Sequence, residues 1–247
     1  MQKIHMPPID AAYWGGILLA SVFGTNLGDY YAHESGLGIV TGVLLLATLT
    51  VPLFVLERFD GRRHAVYYWL VIVVIRTGAT NIADYLQFRA RVPQTALCAA
   101  LAALIALFGW WQARVSPRSG EGIDRAPRGL PDSGVYFWLA MLCAGVFGTV
   151  LGDLCSYLFG QARASLGLCI ALALPLVVWR RTAGAFVAVY WLTIAIARTA
   201  GTAIGDFLAE SGRLNLGLAT ATILSGITLS ALLLSQGWAE ARGRRSS

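Results

Sequence analysis

Residues 13–29 read YWGGILLASVFGTNLGD, and three further stretches repeat that reading without a gap. They are YWLVIVVIRTGATNIAD at 68–84, FWLAMLCAGVFGTVLGD at 137–153 and YWLTIAIARTAGTAIGD at 190–206. Each opens on an aromatic-Trp pair and closes on [Gly/Ala]-Thr-x-x-[Gly/Ala]-Asp, with Trp and Asp 15 residues apart every time. Four copies at one spacing mark an internal repeat, which is the first thing a fold assignment has to respect.

The surroundings of these stretches are as apolar as the stretches themselves. Of 247 residues, 57% are hydrophobic and 13% charged, and the mean hydropathy is +0.64. An ordinary soluble domain carries about 25% charged residues, so a soluble domain is excluded. Disordered, collagen-like and disulfide-scaffold chains are excluded too, since hydrophobicity is high throughout and only four cysteines occur. A membrane-crossing helix takes about 20 apolar residues, and eight segments qualify: 11–31, 37–56, 65–86, 94–112, 134–159, 164–179, 184–208 and 214–236. The sixth is the shortest and contains Pro175. None alternates as a barrel strand would, so the expected class is an all-α polytopic membrane protein of eight transmembrane helices. The first apolar run is not read as a cleaved signal peptide, because Asp10 precedes it and it carries a copy of the repeat.

Eight spans place both termini on one side. Thirteen of the nineteen Lys and Arg residues fall on that side, four on the other (Arg89, Arg91, Arg163, Arg213) and two inside spans. The positive-inside rule then puts both termini in the cytoplasm, as expected of a bacterial inner-membrane protein. The formal charge of +6 is therefore a topology signal and no argument for nucleic acid. The expected partners are the lipid bilayer and an inorganic cation. Residues 113–133, rich in Pro, Gly, Ser and Arg, read as a cytoplasmic linker. It divides a first half, 1–112, from a second, 134–247, with four spans in each.

Each repeat is a pair of helices, so all four motif helices run the same way. The repeats are parallel, related by an axis along the membrane normal, giving a bundle of pseudo-fourfold or pseudo-twofold symmetry. The aromatic-Trp pair is expected at the cytoplasmic interface, where amphipathic rings settle. Fifteen residues of helix carry the Asp about 22 Å farther, so Asp29, Asp84, Asp153 and Asp206 share one depth in the outer half of the bilayer. Small residues four apart (24/28, 79/83, 148/152, 201/205) form stripes for close helix contact. Thr25, Thr80, Thr149 and Thr202 lie one turn before each Asp, on its face. Asn26 and Asn81 add amide oxygens in the first two repeats.

Ionisable groups at membrane depth are costly, roughly 2.5–3.5 kcal/mol each on insertion scales, and usually mark function. Besides the four Asp, two arginines lie within spans: Arg76 and Arg198, each seven residues after its Trp. The formal intramembrane charge is −2, which protons, one divalent cation or two monovalent cations would balance. Carboxylate, hydroxyl and amide oxygens suit hard cations such as Mg²⁺ or Mn²⁺. The candidate ion-binding set is therefore the four Asp, the four Thr, Asn26 and Asn81, with the Asp carboxylates as metal ligands. Arg76 and Arg198 are candidates for a gating or structural role. Their side chains are expected to lean toward the helix N-terminus, away from the Asp, and to form a positive barrier on the cytoplasmic side of the acidic site. No bound cofactor is implied beyond a transported cation, and no nucleophile–base set argues for an enzyme.

The reading from these residues is an inner-membrane cation transporter, for a hard divalent ion and compatible with proton coupling. The alternative is a non-transporting scaffold or sensor in which Asp and Arg pin helices together. A cation channel and an anion or organic-solute carrier rank below both. The fourfold unit, with Trp14, Trp69, Trp138 and Trp191, also resembles a family of bacterial inner-membrane proteins built from four tandem two-helix repeats, each with a hallmark Trp. The resemblance covers about residues 9–236, with Ala79 and Ala83 replacing the usual glycines in repeat two. It implies the architecture, and since that family is of unknown function it implies no activity.

Overall fold

The computed structural model describes residues 6–36, 38–59, 65–115, 133–181, 187–212 and 214–243. Over these residues the chain is all helical: α1 (Ala11–Asp29), α2 (Gly38–Phe59), α3 (Ala65–Asp84), α4 (Gln94–Val115), α5 (Val135–Phe159), α6 (Gln161–Arg181), α7 (Val187–Glu210) and α8 (Leu218–Gly243). Helices α1 and α3 continue as single π-helical turns, Tyr30–Glu34 and Tyr85–Arg89. Asp10 caps α1 by accepting from the Tyr13 amide at 2.8 Å, the usual use of Asp at that position. Gly160, at φ +81°, makes the one-residue turn between α5 and α6 in a conformation that favours glycine.

Among the described residues six helical segments are long and apolar enough to cross a membrane: Ala65–Arg89, Gln94–Val115, Val135–Phe159, Gln161–Arg181, Val187–Glu210 and Leu218–Gly237. Helix α1 is diluted by its glycines, Thr25 and Asn26, and in α2 the apolar stretch is Val40–Leu53. Most of the expected linker, residues 116–132, lies outside the described residues.

The four motif helices pack as a closed ring, α1 on α3, α3 on α5, α5 on α7 and α7 on α1. Around them the second helices sit off-register: α2 packs on α3, α4 on α5, α6 on α7 and α8 on α1. Each outer helix thus braces the motif helix that follows it, and α8 closes the circle by donating from Gln236 Nε2 to the Ala12 carbonyl at 3.1 Å. One hydrophobic cluster draws on both halves of the chain, from Tyr13 to Leu229.

The small-residue stripes explain why the ring closes tightly. A Cβ placed on Gly24 would lie 2.6 Å from Arg76 Cγ, and one on Gly28 2.8 Å from Thr80 Cβ. The same contacts recur between Gly148 and Arg198 Cβ (2.6 Å) and between Gly152 and Thr202 Cβ (2.7 Å). Gly201 likewise faces Ser21 Cβ at 2.3 Å. Repeat two is the exception that obeys the rule. Ala79 carries the extra carbon, and the residue it meets is Gly145, where an added Cβ would fall 2.7 Å from that of Ala79. The methyl gained on α3 is offset by the side chain missing from α5.

The repeated tryptophans depart from the interfacial role expected of them. Trp14, Trp69 and Trp191 are buried, and each packs against the aromatic that opens the preceding motif helix. Ring centroids are 5.8 Å apart for Tyr13–Trp69, 5.7 Å for Tyr68–Trp138, 5.7 Å for Phe137–Trp191 and 5.6 Å for Trp14–Tyr190. They wedge between helices because flat rings fill the gap left by neighbouring glycines: Trp69 lies over Gly16, and Trp191 over Gly109.

Replacing Gly148 by Ala should therefore overpack the α5–α7 contact and lower stability by about 1–3 kcal/mol, read as a drop in Tm of the purified protein. Gly167→Ala, where no atom lies within 4 Å of the new carbon, should leave Tm unchanged or raise it slightly.

Candidate functional site: an arginine crown below an acidic mouth

Every fourth residue of each motif helix belongs to one row. On α1 the row is Tyr13, Ile17, Ser21, Thr25, Asp29; on α3 Tyr68, Ile72, Arg76, Thr80, Asp84. On α5 it is Phe137, Met141, Gly145, Thr149, Asp153; on α7 Tyr190, Ile194, Arg198, Thr202, Asp206. Residues four apart share a helix face, about 6 Å apart along the axis, so the ring of four helices stacks these rows into layers.

The N-terminal layer is aromatic. Tyr13 Oη hydrogen-bonds Tyr68 Oη at 2.7 Å and Tyr190 Oη at 2.6 Å, with Phe137 in the fourth place. Ile17, Ile72, Met141 and Ile194 follow, all fully buried in the central cluster. The next layer holds the two arginines on opposite helices of the ring, both fully buried.

Arg76 gathers the threonines. Its Nη1 donates to Thr80 Oγ1 at 2.8 Å and Thr149 Oγ1 at 2.9 Å; its Nη2 donates to Thr202 Oγ1 at 2.6 Å and to Thr25 Oγ1. One guanidinium thus bonds a hydroxyl from each of the four motif helices. The hydroxyls can all accept because each turns its own proton to a carbonyl one turn back. Thr25 donates to Ser21 at 2.9 Å, Thr80 to Arg76 at 3.4 Å, Thr149 to Gly145 at 3.5 Å and Thr202 to Arg198 at 3.3 Å. This back-bonding is common for Thr in helices; here it leaves four lone pairs aimed at one cation.

Arg198 turns the other way. It donates from Nη1 to Ser21 Oγ at 3.3 Å and from Nη2 to Met141 Sδ at 3.2 Å, toward the helix N-termini. The expectation that both arginines lean N-terminally holds for Arg198 and fails for Arg76. Two guanidinium groups at one level of a dry core repel each other, and the crown has room for one. Arg76 takes it, one layer nearer the carboxylates.

Beyond the crown the four carboxylates gather at one end of the ring. Asp29 interacts electrostatically with Asp84 and Asp153, and Asp206 with Asp153 and Asp29, while Arg76 attracts them all. Asp84 is buried, and the other three are partly exposed. The π-helical turns bring further groups here. Ser35 N reaches back to the Tyr30 carbonyl, and Ala90 N to Tyr85, each at 2.9 Å and five residues apart. Such turns are rare and often occur at functional sites. From the first, His33 Nε2 lies 3.6 Å from Asp84 Oδ2. From the second, Gln87 Nε2 donates to Asp153 Oδ2 at 3.0 Å, and Gln87 Oε1 accepts from Gln94 Nε2 at 2.6 Å. Each turn reaches the carboxylate of the next motif helix in the ring.

The structure thus brings the four Asp and the four Thr into two successive layers, with the Arg76 guanidinium held by the threonines and Arg198 behind. It does not bring Asn26 and Asn81 into either layer. Asn26 lies against Gly205 of α7; Asn81 lies near Gly42 of α2 and donates to its own Thr77 carbonyl at 3.1 Å. One residue past the Thr, each is turned about 100° from the row. The hydrogen-bonded tyrosine cluster and Gln87 escaped the sequence reading, as did the pairing of His33 with Asp84. Extending the four-residue period backward from each Asp finds the tyrosines, and one step forward from Asp29 finds His33.

Residues 12–62 and 189–242 match the family model described as Repeat of Unknown Function (DUF347). The matched stretches are the first and fourth repeats, which are similar to this repeat. Neither the curated proteins nor the solved structures offer a match.

Thr149→Val keeps the side-chain shape and removes one crown acceptor from a buried cation, which should cost about 1.5–3 kcal/mol. Thr199→Val, whose hydroxyl bonds only the Ala195 carbonyl at 2.8 Å, should cost less than about 1 kcal/mol. Chemical or thermal unfolding of the two variants in one detergent checks the difference.

Proposed function

We propose that this protein is a cation transporter of the bacterial inner membrane. In this reading its eight helices all span the bilayer as four parallel two-helix repeats, and both termini face the cytoplasm. The observation that carries it is the order of layers along the ring axis. Four carboxylates from four helices converge at one end, directly beyond a guanidinium cradled by four threonines. A tethered cation held beneath an acidic mouth is what a cation-selective site needs in order to stay closed when empty. The carboxylates attract and partly dehydrate a divalent ion, and Arg76 occupies the oxygen-lined layer that the ion would enter next. Passage requires Arg76 to leave the crown and the Ile/Met layer to part, so transport proceeds by alternating conformations rather than through a standing pore. Charge balance favours the exchange: a divalent cation arriving among the carboxylates weakens their hold on Arg76.

The alternative is a scaffold in which Arg76 and the threonines lock four helices and the carboxylates only solvate one end. It is favoured by the close packing of the Ile17, Ile72, Met141 and Ile194 layer.

Flux of Mn²⁺, Mg²⁺, Ca²⁺, Na⁺ and H⁺ into proteoliposomes separates the two. Transport predicts uptake of a divalent ion that falls at least tenfold in Asp153→Asn and Asp206→Asn, with both variants still folded. Absence of flux for every cation would leave the scaffold. For topology, cysteines introduced near residues 3 and 245 of a cysteine-free variant should react with impermeant maleimide only after the cells are opened.

A further inference from the structure

The acidic mouth is not fourfold. Four residues past the motif Asp stand His33, Phe88, Tyr157 and Glu210, so only the first repeat has a histidine there, and the π-turn after α1 carries it to the carboxylate of α3. One ligand atom from each of Asp29, His33 and Asp84 lies within 4.8 Å of the others. Asp84 is 5% exposed, and its Oδ2, the atom facing His33 Nε2, accepts no hydrogen bond. A buried carboxylate oxygen without a donor is costly unless something cationic meets it. Its other neighbours do not serve: Gln87, in the π-turn after α3, is spent on Asp153 and Gln94, and the Nη groups of Arg76 on the threonines.

We propose that Asp29, His33 and Asp84 form a site for a borderline transition-metal ion of the Zn²⁺ class, at the mouth between the first and second repeats. Imidazole plus two carboxylates is a donor set for such ions, whereas Mg²⁺ and Ca²⁺ take oxygen ligands and gain little from a histidine. Donors around a metal with bonds of about 2.1 Å sit roughly 3.0–3.4 Å apart. The His33–Asp84 pair is already near that spacing, and the exposed His33 ring is free to turn to complete it. The exposure that lets His33 move also opens the site to ions from that side. Three protein ligands leave a position for water, as in sites that exchange their ligands rather than bury them. This site rests on the transport reading only for its purpose; its ion selectivity stands on the donor set. It narrows the hard-cation expectation, because Mg²⁺ would be discriminated against at the first binding step.

The test is Zn²⁺ binding to the purified full-length protein, measured by competition with a chromophoric chelator, beside Mg²⁺ by calorimetry. The expected result is one Zn²⁺ per chain, weakened at least tenfold in His33→Ala and in Asp84→Asn and unchanged in Glu34→Gln. Mg²⁺ binding should be the same in His33→Ala as in wild type. Since His33 is exposed, His33→Ala should fold normally, and the rise in Tm caused by Zn²⁺ in the wild type should vanish in it. Zn²⁺ affinity equal in His33→Ala and wild type overturns the site, whatever the flux assay gives. His33-dependent Zn²⁺ binding without flux of any cation upholds the site and overturns transport instead. Flux of a divalent ion indifferent to His33→Ala, with no Zn²⁺ bound, upholds transport and overturns the site.

Discussion

The guanidinium of Arg76 must be satisfied in the middle of an apolar ring, and the rest of the architecture is arranged so that it can be. A buried arginine offers five donors in a rigid plane. No single helix can meet them, because the side chains of one helix that face inward at any level come from one residue. Four helices meeting at one level supply four acceptors to the two Nη groups, and Nε alone is left without one. The threonine recurs at one position in every motif helix, and in each the hydroxyl proton is committed to a backbone carbonyl one turn back. Hydrogen bonds to a charged group in such a core are each worth about 1.5–3 kcal/mol, so the crown ties the four repeats together with a strength that apolar packing against lipid-like surfaces would not supply.

That arrangement requires the helices to approach closely, which is the task of the small residues beside the row. The contacts of Gly24 with Arg76 and of Gly148 with Arg198 leave no room for a Cβ. The broken symmetry follows the same constraint. A larger residue on α5 at the arginine level would have to share the α3–α5 contact with the Ala79 methyl, and Gly145 stands there instead. With two arginines on opposite helices, one enters the crown and the other turns toward the Ile/Met layer. Their separation along the axis relieves the repulsion that a shared level would impose. The asymmetry of the acidic mouth, with His33 on one side and Gln87 on another, is laid over this near-symmetrical base.

Much of this was legible in the chain. The period of the motif placed Thr one turn below Asp, and the glycine stripes announced close helix contacts that the structure contains. The convergence of Asp and Thr into layers follows from helical geometry once the motif helices are parallel. The tryptophans misled, because an aromatic near a helix end reads the same whether it faces lipid headgroups or the next helix. Asn26 and Asn81 misled for a related reason: adjacency to Thr in sequence suggested a shared site, but consecutive helical residues face about 100° apart. The direction of Arg76 was not legible either. The general lean of helical side chains is a weak preference, and four hydroxyls one layer away outweigh it.

By itself, then, the sequence determined the helical class, the layered order of aromatic, arginine, threonine and aspartate, and the stripes along which the helices would meet. These are properties of single helices, where a residue's height and azimuth follow from its number. Tertiary structure alone decided which arginine fills the crown, that the tryptophans turn inward, and that His33 of the first repeat faces Asp84 of the second. Those depend on which helix lies next to which and on how a π-turn re-aims the residues after it. A helical period fixes the face a side chain occupies but not the neighbour it finds there.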